Sequence, residues 1–128
     1  MNELIFISPR EALAKIKAGA LLIDLRDDYY TNGRYYDVGE FVSIFYKEFP
    51  EKYKELPKDR LLILADYVGI RSKELGFFLI AQGYDQVASL VGGIVDWVKD
   101  GMPTITDHAE ELVGGCACQL KKRKRVKE

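Results

Sequence analysis

Residues able to do chemistry gather at two places in this 128-residue chain. The first is Asp66-Tyr67-Val68-Gly69-Ile70-Arg71-Ser72, between the apolar run Leu61-Leu62-Ile63-Leu64-Ala65 and a helical pattern. A tight turn from a buried strand into a helix aims consecutive backbone N–H groups at one centre, and the helix adds its positive end. The segment is therefore a candidate anion-binding loop. Asp66 has two readings: a carboxylate that fills the cradle with its own oxygens, or a catalytic nucleophile or base. The first is the stronger, because the loop holds no second carboxylate and no metal-ligand pattern, and His108 is the only histidine. It predicts backbone hydrogen bonds to Asp66 within the turn, and with them a lowered pKa. Arg71 is either a ligand for an incoming anion or a structural partner of Asp66 or another acid.

The second place is Cys116-Ala117-Cys118, just before the basic run Lys121-Lys122-Arg123-Lys124-Arg125. Such a pair can hold a soft metal, form a redox couple or carry a persulfide, each through thiolates that nearby Lys and Arg favour. Two thiolates are at most half of a tetrahedral zinc site, so no metal site is assigned and no cofactor is implied. The plainer reading is two exposed, reduced thiols, with the basic run a solvated tail or a nuclear-import or polyanion-binding patch. Reach does not separate these readings, because the chain from Pro103 to Cys116 can extend to about 40 Å.

Around these places the chain has the composition of one globular domain, 48% hydrophobic and 30% charged. No apolar run approaches the roughly 20 residues of a membrane-spanning helix, and residues 1–10 lack the pattern of a secretory signal. Residues 121–128 hold six Lys or Arg and one Glu, a charge of +5, which leaves 13 basic against 19 acidic groups elsewhere, or −6. Nucleic acid is thus expected only through the basic tail, and no membrane is expected as a partner. With no cysteine before Cys116, a disulfide framework is excluded and a cytoplasmic, reducing setting is expected.

The elements that must position the loop follow from periodicity. Leu4 to Ile7 reads as a short strand, and Ser8-Pro9-Arg10-Glu11 as a capping box opening a helix that ends at Gly19. Leu21-Leu22-Ile23-Asp24-Leu25-Arg26, residues 61–65 and residues 87–91 read as strands buried on both faces, the mark of a parallel sheet covered by helices. Phe49, Tyr53 and Leu56 fall at helical spacing, Arg71 to Gln82 is a helix ended by Gly83, and Ile94 to Lys99 is a last short one. Tyr29, Tyr30, Tyr35, Tyr36, Phe41, Phe45 and Tyr46 crowd together without clean period. They either pack a loop and a short strand on the sheet or form a recognition surface. Residues 1–103 are expected to be one α/β domain, an open parallel sheet with helices on both faces and the loop at its carboxyl edge, and residues 104–128 a flexible tail.

Residues 61–72 resemble the active-site loop of rhodanese-like domains. Leu22-Ile23-Asp24-Leu25-Arg26 is similar to that family's Asp-x-Arg strand end, and Leu79 to Tyr84 to its leucine, glycine and aromatic stretch. Leu90-Val91-Gly92-Gly93-Ile94, with Trp97, Gly101 and Pro103, resembles its closing pattern. The resemblance implies a rhodanese-like fold over about residues 4–103 and, in the family, transfer of sulfane sulfur as a cysteine persulfide. It places Asp66 where the family has its nucleophilic cysteine, and the Asp66 to Arg71 spacing is that of sulfur-transferring members rather than of the related phosphatases. A Gly-His-Ile-x-Gly-Ala stretch of the family is degraded here to Tyr35-Tyr36-Asp37-Val38-Gly39-Glu40, a departure at the substrate-side wall of the pocket, where the resemblance places Tyr36 and Glu40. Asp24 and Arg26 are expected to form a polar network that stabilises the strand end. Two functions remain open. One is a module that binds an unknown protein partner or regulates it, non-catalytic at the loop. The other is a sulfur-transfer or thiol-redox protein working through Cys116 or Cys118 with a sulfur donor or acceptor.

Overall fold

A computed structural model describes residues 3–27 and 34–106. The order along the chain is β1 (Ile5–Ile7), α1 (Pro9–Lys17), β2 (Leu21–Asp24), β3 (Arg34–Tyr36), β4 (Phe41–Ser43), α2 (Phe49–Lys52), β5 (Leu62–Ala65), α3 (Ile70–Ala81), β6 (Val87–Leu90), α4 (Gly93–Lys99) and β7 (Thr104–Thr106). One-turn 3-10 segments, Tyr46–Glu48 and Tyr53–Glu55, flank α2. Five strands form the main sheet in the order β1-β6-β5-β2-β4, every neighbouring pair parallel, while β3 and β7 pair antiparallel apart from it.

The apolar runs become strands because both faces of the sheet are covered. Along β2 and β5, Leu22, Ile63 and Ala65 pack with Ala12 of α1 and Ile94 and Trp97 of α4. Leu21, Ile23, Leu62 and Leu64 turn the other way, onto Phe49 of α2 and Leu79 of α3. Alternate side chains of a strand point to opposite faces, so a strand between two helical layers must be apolar at every position. The capping box forms as expected: Glu11 N–H donates to Ser8 Oγ at 3.2 Å and Ser8 N–H to Glu11 Oε1 at 2.9 Å.

Two local features differ from the sequence expectation. The spacing of Phe49, Tyr53 and Leu56 predicts one helix, yet the chain there is a four-residue helix between two 3-10 turns. Phe49 and Leu56 are buried, whereas Tyr53 only packs against the core from its edge. A strand also stands beyond Pro103, where no period is legible: β7 pairs Thr104, Ile105 and Thr106 with Tyr36, Tyr35 and Arg34. Trp97 helps to hold this crossing, its Nε1–H donating to Pro103 O at 2.7 Å.

Candidate functional site

Because β2, β4, β5 and β6 are parallel, their carboxyl ends share one edge, and the Asp66 to Ser72 loop lies there, as expected. Gly69 bends it. Its φ of +100° is left-handed, and a Cβ at that position would stand 2.9 Å from Gly92 N. Gly93 is as tightly placed, since a Cβ there would lie 2.5 Å from Asp66 O. The loop and the start of α4 thus meet backbone to backbone, joined by Ile94 N–H to Asp66 O at 2.9 Å and Val95 N–H to Tyr67 O at 3.3 Å. Tyr36 Oη–H donates to the same Asp66 carbonyl at 3.0 Å from beneath. Burial pushes the Tyr36 hydroxyl well above its usual range, with the Asp24 carboxylate adding to the effect, so it remains a donor at every physiological pH.

Inside this frame the Asp66 side chain turns back on its own loop. Oδ1 accepts from Gly69 N–H at 2.6 Å, and Oδ2 from Arg71 N–H at 2.7 Å and Ser72 N–H at 3.3 Å. These are the backbone bonds the cradle requires. The expected lowering of the Asp66 pKa, however, is overturned. Burial drives the carboxyl up by more than the Arg71, Gly69 and Ser72 donors pull it down, and Asp24 adds to the rise. The residue is 3% exposed, and loss of hydration penalises the charged form whatever the local donors are. An NMR titration is expected to put the Asp66 midpoint above about 3.9, the value for a free aspartate. With the folded value raised, the protonated form is the one that folding favours. The stability contributed by Asp66 is therefore complete below the unfolded pKa and lost as pH rises through the folded one.

The Arg71 side chain lines the edge of the loop and turns away from the Asp66 carboxylate. Its guanidinium pairs with Glu74 at 3.1 Å and lies 4.4 Å from the Tyr46 ring centre, while only its backbone N–H reaches Asp66. Below the loop, Ser72 Oγ and Ser89 Oγ share a buried hydrogen bond of 2.7 Å. At the end of β2, Arg26 Nε and Nη2 grip Asp24 Oδ1 and Oδ2 at 3.0 and 2.9 Å, and Nη2 also donates to Arg34 O at 3.0 Å. This is the expected polar network.

Above the loop opens a cavity of about 500 Å³ lined by Leu25, Arg26, Asp27, Phe45, Tyr46 and, from the loop, Asp66, Tyr67, Val68, Ile70 and Arg71. Phe45 and Tyr46 supply its aromatic wall and meet edge to face at 4.8 Å. Of the crowded aromatics, Tyr35, Tyr36 and Phe41 are core, so the segment serves both packing and the cavity. The implied wall from Tyr36 and Glu40 is not what forms. Tyr36 supports the loop from below, and Glu40 pairs with Arg60 at 3.2 Å, beside the Gly19 carbonyl before β2, at the opposite edge of the sheet. Leu25, Phe45 and Ser89 carried no sequence signal for this site beyond the aromatic crowding. Tyr29, Tyr30, His108, Cys116 and Cys118 lie outside the described residues, as does the basic run. Among the described residues no group of His, Cys, Asp or Glu is arranged to hold a metal ion, and no helix is long and apolar enough to cross a membrane.

Comparison with known proteins agrees with this architecture. The chain is 33% identical over 104 residues to the thiosulfate sulfurtransferase GlpE of Actinobacillus succinogenes, covering 80% of this chain and 91% of that one. It is 30% identical over 105 residues to GlpE of Haemophilus influenzae strain PittEE, covering 80% and 95%. Among solved structures, a rhodanese-related protein of Thermoplasma volcanium aligns with a TM-score of 0.72 at 24% identity, covering 80% of this chain and 99% of that one. The sequence model of the rhodanese-like domain matches residues 8–100, and the chain belongs to that family.

Proposed function

We propose that this rhodanese-like module is non-catalytic at its loop and works by binding, as a recognition or regulatory domain. The relatives are thiosulfate sulfurtransferases. In this reading Asp66 stands at the position of the family's nucleophilic cysteine, and a carboxylate cannot carry a sulfane sulfur. One observation carries the reading: the three loop N–H groups of Gly69, Arg71 and Ser72 that would receive an anion are already bonded to the Asp66 oxygens. The cradle is filled from within, and an incoming anion would meet a buried negative group. Arg71, engaged by Glu74 and Tyr46, completes the loop as a structural residue. A cytoplasmic setting accords with two cysteines that have no partners elsewhere in the chain.

The test is a sulfurtransferase assay of the full chain with thiosulfate and with a persulfide donor, paired with thermal unfolding in the same anions. The loop is expected to give no turnover, and thiosulfate or sulfate no rise in Tm. Asp66→Ala leaves three N–H donors without acceptors and is expected to lose about 1–3 kcal/mol, part of it regained as the emptied cradle binds sulfate. Turnover by the unaltered chain that vanishes on Cys116→Ser or Cys118→Ser would assign sulfur transfer to those cysteines instead.

A further inference from the structure

We propose that the occupant of the cavity over Asp66 is this chain's own segment Leu112-Val113-Gly114-Gly115-Cys116-Ala117-Cys118. The inference rests on the cavity being a binding site, and it names the ligand. Three observations support it. The described chain ends at Thr106, linked to the cavity through two contacts: Thr106 pairs with Arg34, Arg34 O accepts from Arg26 Nη2 at 3.0 Å, and Arg26 lines the cavity. Beyond Thr106, six residues to Leu112 span up to about 20 Å and twelve to Cys118 about 40 Å.

The second observation is chemical. Tyr67, Val68 and Ile70 at the cavity mouth are 57%, 45% and 57% exposed, three large apolar side chains within four residues. Leu112 and Val113 offer apolar surface to cover them, and Gly114-Gly115 lets a backbone approach the loop closely. The third is charge. Residues 1–106 hold 13 Lys or Arg against 16 Asp or Glu, a charge of −3, and those from 121 on carry +5, so the segment that follows Cys118 is drawn towards the body rather than repelled from it. Anions are disfavoured over Asp66, but a neutral, apolar stretch with thiol hydrogens to donate is not.

Disulfide trapping tests this in the full chain. Val68→Cys, combined with Cys118→Ser so that Cys116 is the only other thiol, is oxidised with diamide and digested without reduction. A disulfide between position 68 and Cys116 within one chain is expected, forming at least about tenfold faster than in Phe77→Cys with the same Cys118→Ser. Phe77 is as exposed as the loop but packs on Phe6, outside the cavity lining. Equal rates at the two positions overturn the proposal. So does a disulfide between two chains that grows with concentration, which would seat a second copy in the cavity. A measurement without new thiols runs beside it: the NMR amide shifts of Tyr67, Val68 and Ile70 are expected to move when Leu112→Asp and Val113→Asp are introduced together, and unmoved shifts overturn it. Both readouts report proximity alone. Sulfur transfer, which would defeat the reading of a non-catalytic loop, leaves them unchanged.

Discussion

Arg26→Ala is expected to cost about 3–5 kcal/mol of folding stability, the loss typical when one partner of a buried ion pair is removed. The side chains of Arg26 and Asp24 are 3% and 2% exposed, and without the guanidinium the Asp24 carboxylate stays buried with no cation beside it. The Arg34 carbonyl loses its donor, and the Tyr36 ring, 5.2 Å below the guanidinium, loses the cation it faces. A domain of this size has about 5–15 kcal/mol in all, so the variant should unfold at a visibly lower urea midpoint. Asp24→Ala should cost as much, and the double variant much less than the sum, because no charge is then left stranded. Additive losses would show that the pair contributes through separate contacts. Amide exchange of β7 should quicken in Arg26→Ala and in the double variant more than in Asp24→Ala, since Arg34 O, which Arg26 bonds, belongs to the β3–β7 pairing.

Asp66→Cys is expected to change activity rather than stability. The sulfur would sit among the N–H groups of Gly69, Arg71 and Ser72 at the start of the twelve-residue α3, a place that favours a thiolate and should bring its pKa below the roughly 8.5 of a free cysteine. With thiosulfate, that thiolate attacks the outer sulfur, sulfite leaves with the bonding pair, and the persulfide passes its sulfur to cyanide, which becomes thiocyanate and returns the thiolate. Aligned backbone donors of this kind are worth roughly 10²-fold or more in rate, so thiocyanate formation should exceed that of the unaltered chain by at least that factor. Cys116→Ser and Cys118→Ser belong in the same protein, so that neither thiol competes for the persulfide. An acidic but inert thiol would mean that the cavity wall of Phe45 and Tyr46 no longer admits a donor.

What the sequence alone determined is what neighbouring residues settle between themselves. Unbroken apolar runs at Leu21 to Ile23 and at residues 61–65, too short for helices and alternating with helical patterns, read as strands covered on both sides, so the layered parallel sheet was legible. Ser8 and Glu11 close a capping box within one turn of chain, and the strand–loop–helix at Asp66 to Ser72 sets its own N–H groups around its own carboxylate, so both could be read directly. Properties that need distant segments could not. The wall of Phe45 and Tyr46 exists because β4 runs beside β2 and its continuation bonds back, Ile44 N–H to Asp24 O and Tyr46 N–H to Leu25 O. Glu40 went to the far edge of the sheet because that same parallel pairing places the start of β4 beside the start of β2. The strand Thr104–Thr106 has neither a buried face nor a long apolar run, and only the β3 edge makes it a strand. The Asp66 pKa divides the two cases within one side chain. Its donors lie three, five and six residues away and were foreseeable, but the water it loses is excluded by the whole packed fold, and that larger effect sets the direction.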